Sequence, residues 1–254
     1  MQLSAQTMPE QEEKEIKRVS REYGADHWQR IYYDGTWEVA HEILDENLEV
    51  IRSAGVVPDG VVREYFDSGI LFYECRFRNG VREGKATIFF ESGKPEVEKT
   101  YRGGKLEGPA KVYGENGLVK EELNYCNSMR HGVRTKYYED GLVQEISEYV
   151  NDQKNGLTRI FYPGGQLQSE IPYKFGKPEG MSRFYHPSGM LAWAVPYIEG
   201  MAEGIARRFA HTGSLAEEWD YENGIIARKR KFAPAESLPA DWKKLLPPEL
   251  AEED

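Results

Sequence analysis

The chain has 254 residues, with 33 basic and 43 acidic side chains and a net charge of -10. Such a surface repels a phosphate backbone, so the composition argues against nucleic acid as the main partner. No apolar run approaches the roughly 20 residues of a membrane helix, and the amino terminus lacks the apolar segment of a signal peptide. The two cysteines, Cys75 and Cys126, have no zinc-ligand spacing. A cytoplasmic protein without metal or cofactor is the expectation.

Residues 1–59 precede any repeat and are expected to cap one end of the fold. Residues 9–22 are highly charged, with pairs such as Glu10 and Lys14 at helical spacing, which favours a short charged helix or a disordered arm over 1–24. Short apolar segments around a polar turn at 45–47 predict capping strands over 25–59.

From Gly60 the chain repeats every 24 residues, seven times, as far as residue 227. Four positions of the repeat are filled in all seven copies: a first glycine, an aromatic residue five positions later, a second glycine nine positions later, and an aromatic residue seventeen positions later. The first glycines are Gly60, Gly84, Gly108, Gly132, Gly156, Gly180 and Gly204.

The spacing predicts one β-hairpin per repeat. A polar pair before each second glycine, as at Asp67-Ser68-Gly69, fits a three-residue loop in which glycine takes the left-handed position, and this register places Tyr65 opposite Leu71. Asn79-Gly80 is typical of a tight two-residue turn to the next hairpin. We therefore expect an all-β fold, an elongated antiparallel meander of about 14 strands with short helical caps.

After Ala227 the period stops, and residues 228–254 are expected to form a C-terminal cap. The basic segment Arg228 to Lys231 fits a solvated edge strand, because lysine discourages edge-to-edge pairing; attraction to anionic lipid or to an acidic partner is the alternative. A short helix is expected to begin near Leu238 and to place Trp242 on the last strand, ahead of a frayed acidic end.

The position three residues after each first glycine is often basic and suggests a binding stripe. Counting back from Tyr65 opposite Leu71 without a break places Arg183 opposite Trp193 and Arg63 opposite Tyr73, as cation-aromatic pairs. The same count pairs Lys111 with Glu121 and Arg207 with Glu217. One interpretation is ordinary pairing of surface residues. The other is a stripe that binds an acidic partner, made by Arg159, Arg183, Trp193, Arg207 and Tyr73.

No catalytic constellation is visible. The five histidines occupy unrelated positions, and neither a nucleophile elbow nor a phosphate-binding loop occurs. The late glutamates recur with the repeat, which is typical of a structural ladder rather than of an active site. We therefore expect a protein that is not an enzyme.

The repeat resembles the MORN-type repeat, in the variant found in bacterial YwqK-like antitoxin proteins; residues 132–155, GVRTKYYEDGLVQEISEYVNDQKN, show the pattern. The resemblance implies an array of hairpins and a protein-binding module, which could act as an antitoxin or immunity protein on another protein. Self-association as a structural scaffold and a membrane-associated adaptor are the alternatives, and the acidic charge disfavours the membrane.

Overall fold

The computed structural model describes residues 13–23, 27–47 and 49–232, and within these ranges every regular element is a β-strand. The described residues fall into two compact units, unit 1 ending at Leu106 and unit 2 beginning at Glu107. The all-β prediction is confirmed for the described residues. The helix predicted near Leu238 lies outside them.

Unit 1 contains nine strands. They are β1 (Glu15–Glu22), β2 (Trp28–Asp34), β3 (Trp37–Leu44), β4 (Val50–Gly55), β5 (Gly60–Tyr65), β6 (Leu71–Arg78), β7 (Val81–Phe89), β8 (Pro95–Arg102) and β9 (Lys105–Leu106).

Unit 2 contains fifteen strands. They are β10 (Gly108–Tyr113), β11 (Val119–Cys126), β12 (Met129–Arg130), β13 (Gly132–Tyr137), β14 (Val143–Val150), β15 (Gln153–Lys154), β16 (Gly156–Phe161), β17 (Leu167–Lys174), β18 (Lys177–Pro178), β19 (Gly180–Tyr185), β20 (Leu191–Ile198), β21 (Met201–Ala202), β22 (Gly204–Phe209), β23 (Leu215–Glu222) and β24 (Ile225–Lys231).

The described residues thus form 24 strands, and the predicted number of about 14 is wrong. Fourteen long strands do come from the seven repeats. Five two-residue strands (β9, β12, β15, β18 and β21) precede first glycines, and β1 to β4 and β24 lie outside the hairpins that the period predicts.

Both predicted turn types are present. In the first repeat the Phe66 amide donates to the Ile70 carbonyl, and Gly69, at φ +82°, closes the three-residue loop by donating to the Phe66 carbonyl. The next turn, Asn79-Gly80, has φ of +51° and +77°, as a type I′ turn requires. Tyr65 lies opposite Leu71, as predicted.

A β-bulge follows the first loop in every repeat, and the sequence did not reveal it. In the first repeat Tyr65 faces Leu71 but Glu64 faces Tyr73, so Phe72 is the extra residue. The six later hairpins shift at the equivalent point. Because side chains alternate between faces, this extra residue moves every pair beyond the bulge by one position.

The amino-terminal segment corrects another prediction, because residues 15–22 form strand β1 instead of a helix. β1 pairs antiparallel with β2 along six residue pairs and parallel with β5 from Glu15 opposite Val61 to Lys17 opposite Arg63. Ile16 is fully buried and Arg18 is 5% exposed, so alternate residues of β1 belong to the core. Ladder bonds on both sides outweigh the few tenths of a kcal/mol that each helical charge pair contributes.

One face of each unit carries its core, and we call it the core face. In unit 1 the core surrounds Ile16, Tyr32, Val62, Cys75 and Phe77. In unit 2 it surrounds Phe184, Trp193, Val195, Tyr197 and Tyr221. The opposite face, which we call the ladder face, carries the predicted basic position and the first aromatic of each repeat. Because a lone hairpin cannot bury enough apolar surface, each repeat depends on its neighbours in the same unit.

Candidate functional site

The structure separates the predicted binding stripe into two groups on opposite faces. Arg159, Arg183 and Arg207 lie exposed on the ladder face. Trp193 and Tyr73 lie on the core face, where they are 2% and 7% exposed. Because of the bulge, Arg183 faces an alanine and Trp193 faces Phe184, so the predicted Arg183–Trp193 pair is wrong.

The same shift changes the predicted charge pairs. Lys111 pairs with Glu122 at 2.7 Å instead of with Glu121, and Arg207 pairs with Glu218 at 3.1 Å instead of with Glu217. Arg63, predicted opposite Tyr73, instead faces Glu74, and Arg159 pairs with Glu170. The glutamate column is therefore the partner of the basic column. Exposed pairs of this kind contribute at most about 1 kcal/mol each.

Among the basic residues of this ladder Arg183 is the exception, because Ala194 lies where five of the other repeats carry glutamate; the fourth repeat has Ile146 there, opposite Thr135. The Glu170 carboxylate of the preceding hairpin accepts hydrogen bonds from Arg159 at 3.0 Å and from the Tyr185 hydroxyl at 3.2 Å. Within the described part of the chain, Arg183 forms no ion pair. Glu170 lies opposite Arg183 across β17 and β19, but its carboxylate binds Arg159 and Tyr185. A binding role for the three arginines stays a prediction.

A second surface of unit 2, not predicted from the sequence, follows the two-residue turns of the last three repeats. We call it the turn edge and define it by Phe175, Ile198, Met201 and Ile225. Their side chains are 71%, 54%, 49% and 70% exposed. Ile198 and Met201 are direct cross-strand partners, Ile225 occupies the position of Met201 one repeat later, and Phe175 lies on the preceding turn. Neighbouring exposed apolar side chains are typical of interaction sites.

Backbone hydrogen bonds join successive turns along this edge. The amides of Gly176, Gly200 and Gly224 donate to carbonyl oxygens of the preceding repeat at 2.8, 2.9 and 3.0 Å. In six repeats the side chain just before the first glycine also accepts a hydrogen bond from the turn amide twenty residues later; Glu179 accepts from Glu199 N–H at 2.7 Å. These bonds fix the backbone of the turns that carry the turn-edge side chains.

Phe175 has an unusual backbone for its side chain. Its φ of +51° is the left-handed conformation of the first turn position, which four other repeats fill with asparagine (Asn79, Asn127, Asn151 and Asn223). A bulky residue with positive φ is uncommon and costs free energy, so its presence on an exposed turn needs a reason. This departure was visible in the sequence as a phenylalanine in an asparagine column.

The core face also contains an ionic cluster in the middle of the array. Arg134 lies 2.6 Å from the Glu121 carboxylate and 3.8 Å from that of Glu145, which Lys154 also contacts at 3.0 Å. Burial disfavours ionised Glu145, but the hydrogen bond and charge of Lys154 outweigh it and lower the pKa of the carboxyl below its ordinary value. Because two basic and two acidic side chains balance each other here, we interpret the cluster as structural.

Among the described residues, no set of three or more His, Cys, Asp or Glu side chains is placed to hold a metal ion. Cys75 is a buried free thiol and Cys126 a half-buried one. The same part of the chain has no helix long and apolar enough to cross a membrane.

Comparison with known protein families identifies the repeat. A family model described as the MORN repeat variant matches five segments, residues 58–79, 82–102, 106–127, 130–151 and 154–175. No curated protein matches the chain, and no relative confirms the resemblance to YwqK-like antitoxin proteins. The hairpins over 180–227 lie outside the matched segments but have the same turns and the same bulge. Five repeats of the chain, within residues 58–175, therefore match the MORN repeat variant.

Proposed function

We propose that this protein is a non-enzymatic protein-binding module whose partner docks on the turn edge of unit 2. MORN repeats generally bind proteins or membranes, which is consistent with a binding role. The observation that carries the proposal is Phe175, which combines a disfavoured backbone conformation with 71% exposure. Neither property helps the fold, and a large aromatic side chain is a common anchor of protein interfaces.

Charges beside Phe175 indicate the chemistry of the partner. Lys174 and Lys177 are exposed and lie directly opposite each other across the turn. Like charges in this position destabilise a hairpin. Glu179 and Glu199 line the same depression, but neither forms an ion pair with these lysines in the described part of the chain, so a carboxylate from a partner would still relieve the repulsion. We therefore propose a partner segment that carries apolar side chains for the turn edge and an acidic side chain for this lysine pair.

A toxin neutralised by this surface is the more specific form of the proposal. It is supported by the resemblance of the repeat to that of bacterial antitoxin proteins, and by a rigid, shallow surface that suits another protein better than a small molecule.

The test compares the proteins that wild type and variants retain from a lysate of the source organism. Phe175→Asn removes the anchor while installing the residue that other repeats use at this turn, so the fold should be preserved. Leu142→Asn is the matched control, since Leu142 is 45% exposed on a turn at the opposite ends of the strands.

A partner that wild type and the Leu142 variant retain should be lost from the Phe175 variant, with affinity reduced roughly thirtyfold for a hot-spot residue of about 2 kcal/mol. Equal retention by all three proteins would contradict the proposed site. If only the protein itself is recovered, and its mass rises with concentration, the scaffold alternative replaces the proposal.

A further inference from the structure

Unit 1 contains a cavity of about 580 Å³ on its core face, and its lining is mostly cationic and aromatic. Arg18 and Arg30 enter from β1 and β2, and Arg82 and Lys99 from β7 and β8. Trp28 and Tyr101 contribute aromatic rings to the wall of the cavity. This volume lies in the range of small-ligand sites, which bury an apolar body and orient it with a few polar groups.

The cavity carries an excess of positive charge. Arg18 is matched by Glu64 at 2.6 Å, with both side chains less than 10% exposed. Arg30 and Arg82 share one carboxylate, Glu42, at 3.7 and 3.9 Å, distances too long for hydrogen bonds. The Glu42 carboxylate also accepts a hydrogen bond from the Tyr32 hydroxyl at 2.8 Å.

Lys99 adds a fourth cation, which forms no ion pair with any residue that the structure describes. Burial, and then the positive charge of Arg82, lower the pKa of its ammonium group. Burial and the charge of Arg18 likewise lower the pKa of Arg30. Four cations against two carboxylates leave two positive charges unmatched, in a chain whose net charge is -10.

We propose that this cavity is a binding site for a small organic anion, a doubly charged oxyanion such as a phosphate ester on a planar apolar body. The charge would lie between Lys99 and the arginine pair Arg30 and Arg82, which have donors beyond those that Glu42 can satisfy. The body would lie against Trp28, whose side chain is 39% exposed. The proposal concerns unit 1 only and does not depend on the turn edge of unit 2.

The experiment is calorimetric titration of the full chain with phenyl phosphate as the probe. Inorganic phosphate carries the double charge without the aromatic ring. Benzoate carries the ring with a single charge, and phenol carries the ring without a charge. The expected order of affinity is phenyl phosphate first, then benzoate or inorganic phosphate, with phenol weakest. Binding of phenyl phosphate should weaken as salt is added, since screening reduces the attraction.

Lys99→Met should lower the affinity for phenyl phosphate roughly tenfold or more, because a charged hydrogen bond is lost. It should also fold at least as stably as wild type, since it removes an unmatched half-buried charge. Lys85→Met is the control: Lys85 belongs to the same repeat, but its partner is Glu98 on the ladder face. Arg30→Met provides a second test.

Three results would overturn the assignment. They are the absence of saturable binding of phenyl phosphate, equal affinity for phenol and phenyl phosphate, and equal weakening by the Lys85 and Lys99 variants. If inorganic phosphate bound as tightly as phenyl phosphate, the aromatic wall would contribute nothing and the organic part of the ligand would be wrong.

Discussion

Replacing Glu199 by asparagine should stabilise unit 2. Glu199 occupies the first position of a two-residue turn with φ of +50°, where four other repeats carry asparagine. Its side chain is exposed and makes no ion pair with the described residues, so the substitution removes little. Its amide keeps the hydrogen bond to the Glu179 carboxylate, because that bond uses the backbone.

The gain comes from the backbone. The left-handed conformation costs an ordinary L-residue roughly 1–2 kcal/mol, and asparagine tolerates it better. We therefore expect the free energy of unfolding to rise by about 1 kcal/mol, which corresponds to about 2–4 °C in Tm for a domain of 150–250 residues. Phe175→Asn relieves the same cost, but the covered part of the ring, about 60 Å² of side-chain area, offsets it by about 1.5 kcal/mol at most.

Scanning calorimetry of three variants measures the effect. Glu199→Asn should raise Tm, Phe175→Asn should leave it nearly unchanged, and the reverse substitution Asn223→Glu should lower it by about as much as Glu199→Asn raises it. If Glu199→Asn lowered Tm, or if Asn223→Glu had no effect, the left-handed backbone would not determine which residue suits the turn.

Three further predictions concern buried polar groups. Thr158 is 1% exposed and its hydroxyl has no hydrogen-bond partner among the described residues, so Thr158→Val should stabilise by about 1–2 kcal/mol in urea unfolding; a loss would mean that the hydroxyl is satisfied. Arg18→Met leaves the buried Glu64 carboxylate without its ion-pair partner and should lower the free energy of unfolding by about 3–5 kcal/mol. A second change, Glu64→Leu, should restore most of this stability, and an equally unstable double variant would contradict the reasoning. The lowered pKa of Glu145 gives stability that is present above the unfolded value of about 4.3 and is lost as pH falls through the lower folded value. Glu145→Gln should therefore lose less stability than wild type between neutral and acid pH, and an equal loss would refute the assignment.

The hairpins could be predicted from the sequence because their signals are local. Gly69 and the Asn79-Gly80 pair need left-handed backbone, and the structure has it at these positions. The residue pair next to each loop, such as Tyr65 opposite Leu71, was predicted correctly, but the pairs beyond the bulge were not. The bulged position holds residues as different as Phe72, Lys120 and Ala192, so no sequence pattern identifies it. Counting outward from the loop therefore gives partners that are wrong by one residue once the bulge has been passed.

The amino-terminal strand could not be predicted because its stability is not local. The charge spacing over residues 9–22 is what a helix would show, while Ile16 and Arg18 acquire their burial only beside β2 and β5. The cavity of unit 1 escaped prediction for the same reason, since β1 and β2 bring Arg18 and Arg30 towards Lys99. Phe175, by contrast, could have been found as a departure from the repeat.

Three kinds of contact between neighbouring repeats span fixed numbers of residues. In unit 2 a turn amide reaches a carboxylate 20 residues earlier, a turn glycine reaches a carbonyl 22 residues earlier, and the Tyr138 and Tyr162 hydroxyls reach carbonyls 23 residues later. A single inserted or deleted residue would shift all three, whereas gain or loss of a complete repeat preserves them. Duplication and recombination can therefore change this array only in steps of 24 residues, and each such step lengthens or shortens the turn edge and the ladder face together.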